Sequence, residues 1–317
     1  MPAKKNKTAA KKSLQVKADQ PRRRKLTRKN KKKFTKQNTQ VSSSFRLLIN
    51  AGRHLWQHKG LFAGILAVYS ILYFILVKGL ATDFQLTEAK SLIEETVGDQ
   101  LGNFETAATL FGVLIGSAGS ANNDAASIYQ AILVMFVSLA VIWALRQTYE
   151  QHQDRTIKSS FYKGMYPAVP YILVWFVIIL QMIPALIGLS IYGLVQSNGL
   201  AVSGFEQILW LFVLLLGLSI SIYLTSSSIF ASYIVTLPDM TPMRALRSAR
   251  KLVKFRRFTI LRKVIFLPAV LSLLAGIIFF PLVLFAPVAA EVLFLLFSLA
   301  VIIIGHSYLY QLYRELL

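Results

Sequence analysis

Apolar residues run along this chain in long blocks, separated by short polar and basic stretches. About 20 apolar residues in helical form cross a hydrocarbon core of about 30 Å, and six blocks meet that length. They lie at about 61–80, between Lys59 and Lys78; at 127–145, stopped by Arg146; and at 168–195, from Pro167 to the polar turn Gln196-Ser197-Asn198-Gly199. The others cover 208–235, 264–286 and 288–313, the last two divided by Pro287 and Glu291. That final pair shares one greasy run of about 50 residues, which as helix is about 75 Å long and so makes two crossings with a tight turn. The pattern predicts an all-α fold, a polytopic bundle of six transmembrane helices, with Pro184 and Pro281 as candidate kinks. Residues 104–117 are apolar over a shorter core with Glu105 at its edge, so they read as an interfacial or re-entrant piece of the 81–126 connection rather than a seventh span.

Three basic segments with helical periodicity sit ahead of spans one, three and five. In the first, Phe45, Leu48, Ile49, Leu55 and Trp56 recur with Arg46, Arg53 and Lys59 around them, and Ser44 is the expected N-cap. The second holds Ile157, Phe161, Tyr162, Met165 and Tyr166 among Arg155, Lys158 and Lys163. In the third, Thr241 caps, Pro242 takes the first helical position, and Met243, Leu246, Ala249, Leu252 and Phe255 alternate with Arg244, Arg247, Arg250, Lys251 and Lys254. Such helices are expected in the membrane interface, apolar side in the acyl boundary and cations on the headgroups of an anionic inner leaflet. The first and third align, Phe45-Arg46-Leu47-Leu48-Ile49-Asn50-Ala51 on Met243-Arg244-Ala245-Leu246-Arg247-Ser248-Ala249. This suggests three units, each an amphipathic helix followed by a hairpin, although any two basic amphipathic helices resemble one another.

Charge then orients the bundle. The chain is 55% hydrophobic and 15% charged, yet its net charge is +21. Residues 1–43 hold 16 of the 35 Lys/Arg and one acid, Asp19, and this nearly oil-free stretch is expected to be a disordered basic cytoplasmic tail before a membrane domain at 44–317. With the tail inside, 33 cations fall on the inner side and two, Lys78 and Lys90, outside with most of the acids. That satisfies the positive-inside rule and puts both termini in the cytoplasm of a cell-membrane protein. The first span, behind so long a tail, is expected to remain as a signal anchor rather than a cleaved leader. A soluble globular enzyme, a disulfide scaffold and a porin are excluded by this composition; zero Cys removes thiolate and redox chemistry.

The stretch Tyr233-Ile-Val-Thr-Leu-Pro-Asp-Met-Thr-Pro-Met-Arg-Ala-Leu-Arg-Ser-Ala-Arg-Lys-Leu-Val, with Phe161-Tyr-Lys-Gly-Met-Tyr-Pro and the closing Tyr308-Leu-Tyr-Gln-Leu-Tyr-Arg-Glu-Leu-Leu, resembles uncharacterised six-span membrane proteins of reduced-genome bacteria. More distantly, the Pro-Met-Arg-Ala-Leu-Arg helix before a span is similar to the membrane domain attached to some glycerophosphodiester phosphodiesterases. Neither resemblance implies catalytic residues in this chain.

Candidate chemistry is sparse. The tail, with Arg22-Arg23-Arg24-Lys25 and Lys31-Lys32-Lys33, suits the anionic leaflet or a non-specific contact with RNA or ribosome, and its single aromatic, Phe34, offers no base stacking. Arg46, Arg53, Arg244, Arg247, Arg250, Lys251 and Lys254 are the expected lipid-binding cations. Span four carries Ser219, Ser221, Thr225, Ser226, Ser227, Ser228 and Ser232. Of these Ser221, Thr225 and Ser228, with Gln181 of span three, either line a polar pathway for a small or amphiphilic substrate or let helices approach closely and bond across the interface, as the Gly217/Ser221 spacing allows. His306 is expected among the tyrosines of an aromatic belt. His54 and His58 have i,i+4 spacing, but no third ligand follows, so no metal is expected and they are placed beside Trp56 at the interface. Walker, His-Glu-x-x-His and Gly-x-Ser-x-Gly patterns are absent, and neither a cofactor nor an enzymatic activity is expected. The reading is a non-enzymatic envelope protein acting through anionic lipid or a protein partner, with a transporter or channel as the alternative.

Overall fold

Hydrophobic length decides the helices. In the computed structural model, which describes residues 42–77, 124–151, 155–199, 203–254 and 256–317, six helices are long and apolar enough to cross a membrane. They are α2 (Lys59–Leu76), α3 (Asp124–Tyr149), α5 (Ala168–Ser197), α6 (Gly204–Ser228), α9 (Arg257–Phe285) and α10 (Pro287–Leu316). Four shorter helices complete the order: α1 (Ser44–Gln57), α4 (Ile157–Gly164), α7 (Ala231–Ile234) and α8 (Pro242–Val253). No strand occurs among the described residues. The six-span helical bundle is therefore as expected from the hydropathy blocks, while the tail to residue 41 and the 104–117 segment lie outside the described residues.

Local chemistry explains the ends. The cap of α1 is Ser43, whose hydroxyl accepts from the Arg46 amide, one residue before the expected Ser44. Ser42 and Ser43, assigned to the tail by composition, are thus part of the folded unit Ser42–Leu317. Thr156 and Ser159 form a reciprocal capping box at α4, and Ser203 and Glu206 form another at α6. Thr241 occupies the N-cap position of α8 without a side-chain cap bond; Pro242 at the first helical position starts the helix instead. Asp239, at φ 56°, turns the chain just ahead of it, a left-handed position that Asp tolerates. Pro184 sits inside α5, and Pro268 and Pro281 inside α9, without ending either helix.

The spans pair as three hairpins, α2 with α3, α5 with α6, and α9 with α10. Each returning helix also touches the leading helix of the next hairpin: α3 meets α5, α6 meets α9, and α10 meets α2, closing a ring. The three basic helices follow the same rotation. α4 packs on α3, α8 on α6, and α1 on α10, each seated on the returning helix of the hairpin before it. Their buried contacts recur at one spacing, Leu47 with Ala51, Ser160 with Gly164, and Ala245 with Ala249. The first and third of these pairs are equivalent in the alignment read from sequence, and this common register supports internal repetition.

Seating these helices corrects one expectation. In α8 two residues of the stripe expected in the acyl boundary, Leu246 and Ala249, are buried against protein instead, while in α1 and α4 the buried residues, Leu47, Ala51, Ser160 and Gly164, lie outside the stripe read from sequence; a Cβ on Gly164 would lie 3.1 Å from the Leu139 carbonyl oxygen. Other apolar residues, Phe45, Trp56 and Met243, stay exposed for the surroundings. Half of the α3 window is buried against 11–22% for the other spans, so α3 is the internal post and the remaining helices present apolar surface outward.

Candidate functional site

The basic helices gather at one end of the bundle, where the spans end in hydroxyls, rings and cations. Here the start of α1 is tied to the last two spans. The Ser42 amide donates to Glu315 Oε2 at 2.9 Å, the buried Lys263 ammonium donates to the Ser42 carbonyl, and Tyr308 donates to the Lys263 carbonyl at 3.0 Å. Further along, the Ser307 hydroxyl donates to the Ala51 carbonyl.

His54 locks α1 to α3. Its Nε2 lies 2.9 Å from Thr148 Oγ1, and Thr148 spends its only proton on the Leu145 carbonyl, so the imidazole Nε2–H is the donor. The ring stacks on Tyr149 at 3.9 Å and 6°, and the Arg314 guanidinium lies over Tyr149 at 4.3 Å. Burial first, then the positive charges of His58, Arg314 and Arg155, push the His54 pKa down to about 4, which keeps it neutral. His58 is lowered too, by burial and Arg155. To the place beside Trp56 in α1 the structure adds this contact of His54 with Thr148 and Tyr149. Among the described residues no group of three His, Asp or Glu could hold a metal.

A second knot joins α3, α7 and α10. Arg146 donates through Nη1 to the Thr236 carbonyl at 2.8 Å and through Nη2 to the Thr236 hydroxyl, which itself donates to the Tyr233 carbonyl. Tyr233, fully buried, reaches His306 Nδ1 with its hydroxyl at 2.9 Å and stacks on Tyr313. The histidine is among tyrosines as read from sequence, but its partner comes from the helix after span four. Arg146 is legible in the sequence only as the residue that stops span two, and Lys263 and Thr148 carry no signal there, since their roles depend on which helix arrives opposite.

Beside this knot lies a half-open cavity of about 550 Å³, between α3, the α4–α5 junction and residues 235–240. Its wall is mostly apolar, with Arg146 and Lys163 as cations and Asp239 as an acid. Tyr162 and Tyr166 at its lining are largely exposed.

The lipid-binding cations read from sequence are all at the surface. Arg244, Arg247, Arg250, Lys251 and Lys254 are exposed, opposite the buried Ala245, Leu246, Ala249 and Val253, and Arg46 and Arg53 are exposed on α1.

The candidate polar pathway is built differently from that expectation. Ser221 is fully buried and its hydroxyl oxygen accepts from the Ala185 amide at 2.9 Å, one residue past Pro184. A Cβ on Gly217 would collide with the Pro184 carbonyl, and one on Gly188 would lie 3.3 Å from Leu214 Cα, so α5 and α6 are in backbone contact there. Ser226, Ser227 and Ser228 turn their hydroxyls to carbonyls of α6 itself, and Thr225 faces the Met182 sulfur. Gln181 Oε1 is buried without a hydrogen-bond partner among the described residues. Ser221 bonds across the α5–α6 contact and Thr225 reaches Met182 of α5, as the packing reading of the same spacing expects.

Six spans, backbone-to-backbone helix contacts and a cationic polar end define a multi-pass α-helical membrane protein. Comparison with protein-family models, curated proteins and solved structures finds no match to this chain.

Proposed function

We propose that this chain is a non-enzymatic protein of the cell membrane, termini in the cytoplasm, that works by gripping anionic lipid with its basic helices. The observation that carries the reading is α8: four cations on its exposed side, Arg244, Arg247, Arg250 and Lys251, with Lys254 at its C-cap, over a buried seat that fixes how they are presented. Each cation near an anionic leaflet contributes about 1 kcal/mol, so a rigid cluster concentrates such lipid around the protein. The tail adds a further 16 cations and the same salt-sensitive attraction, open also to RNA or ribosome. The orientation rests on the distribution of cations along the sequence, and kinship with six-span proteins of reduced-genome bacteria belongs to the same proposal. The Ser221 bond to the Ala185 amide, where α5 and α6 are in backbone contact, supports contact over transport.

The test is energy transfer from protein tryptophan to labelled lipid, with the full chain reconstituted in phosphatidylcholine vesicles containing a minor fraction of phosphatidylglycerol. The chain should enrich labelled phosphatidylglycerol over labelled phosphatidylcholine. The variant R244Q/R247Q/R250Q/K251Q should lose at least half of that enrichment; equal enrichment by both proteins refutes the proposal.

A further inference from the structure

The cavity beside Arg146 has a composition that surface attraction does not explain. Its depth in the membrane follows from its walls: Arg146 ends the apolar block of α3, and Pro167 lies where α5 begins, so the opening is at headgroup level. One cation is held rigidly, since Arg146 is forked onto the Thr236 carbonyl and hydroxyl. The second, Lys163, closes the α4 helix. Leu139, Trp143 and Pro170 supply apolar wall, which a phosphate ion alone would not use. At about 550 Å³ the space is that of a small organic ligand. Asp239, its backbone turned to φ 56°, adds a carboxylate to the lining. The carboxylate brings the lining to a net charge of +1, which a singly charged phosphodiester neutralises, and it can accept a hydrogen bond from a hydroxyl or ammonium at the far end of a headgroup.

We propose that this cavity is a binding site for the headgroup of a glycerophospholipid, its phosphodiester against Arg146 and Lys163, its terminal hydroxyl or ammonium toward Asp239, and its glycerol end along Trp143. The site is separate from α8, so it selects an individual lipid where α8 recruits a charged population.

Dioctanoyl phosphatidylglycerol titrated into the full chain in neutral detergent should change tryptophan emission saturably, and Trp143→Phe should abolish most of that change. Lys163 is exposed, so Lys163→Gln should fold normally; it should weaken binding about tenfold, the scale of one charge-assisted hydrogen bond. Glycerol 3-phosphate, inorganic phosphate and dioctanoylglycerol should each bind far more weakly than the phospholipid. The proposal is overturned by the absence of a saturable change, by unaltered affinity in Lys163→Gln, or by inorganic phosphate binding as well as the lipid, which would make this a free-phosphate site. The R244Q/R247Q/R250Q/K251Q variant should keep its affinity here within about twofold while losing lipid enrichment in vesicles, so failure of either site is read separately.

Discussion

Ser221 offers its oxygen to the Ala185 amide just where Pro184 interrupts the regular bonding of α5. Cross-helix hydrogen bonds in membranes average about 0.6 kcal/mol and reach about 1.7, so Ser221→Ala should lower stability by about 1 kcal/mol in denaturation from detergent micelles. Ser219→Ala should leave it unchanged, because that exposed hydroxyl bonds only its own Leu215 carbonyl. Gly217→Ala should cost more, about 1–3 kcal/mol as an overpacked contact, since the new methyl meets the Pro184 carbonyl and backbone cannot step aside as a side chain would. His54 adds a pH dependence. Its folded pKa of about 4 lies below the ordinary 6.5, so the unfolded chain binds the extra proton between those values. Stability is fully present above about pH 6.5 and is lost as pH falls through about 4. Unfolding midpoints across that window should slope upward with pH, and His54→Gln should flatten the slope. That a histidine would sit among span-end tyrosines was readable for His306, because residue type and membrane depth suffice. That Thr148 would fix the His54 tautomer was not, for its partner lies 94 positions away.

Between residue and bundle, the helices show where sequence patterns lose information. Span lengths, the basic amphipathic segments and the proline start of α8 were legible, since each depends on neighbours within a few turns. Which stripe of an amphipathic helix meets protein was not. The apolar stripe read in α1 holds Phe45 and omits Leu47, yet Leu47 is wholly buried and Phe45 is 63% exposed. The discriminating signal is size: Ala51, Gly164 and Ala249 are all buried, and at Gly164 the backbone of another helix passes close by. Gly164 supplies the sharpest test, with a Cβ there 3.3 Å from Trp143 Cβ as well as close to Leu139. Gly164→Leu should lift α4 off α3 and raise amide hydrogen exchange over Ile157–Gly164, with α8 protection unchanged. Equal protection in the variant would mean that α4 is held by something other than this crossing. The same substitution should distort the adjacent cavity and weaken phospholipid binding there.

At the scale of the molecule, three hairpins and three seated helices form a closed rotation in which α1 completes the circle on α10. Sequence suggested the repeated unit but not the closure, because a register between α1 and α10 leaves no mark within either segment. The chain has no Cys, so an introduced pair is unambiguous. Ala51→Cys with Ser307→Cys should join within one chain under a short thiol crosslinker in intact membranes, whereas Trp56→Cys with Ser307→Cys should not; links only between chains would break the circle as drawn.

The latch from Ser42 to Glu315 spans 273 positions, which gives assembly an order in time. During synthesis α1 emerges long before its seat exists, and it waits with Leu47 and Ala51 uncovered until α9 and α10 are threaded into the bilayer. Closing so distant a contact is entropically slow. In a chain stalled or cut ahead of α10, Leu47 and Ala51 would therefore have no partner to cover them.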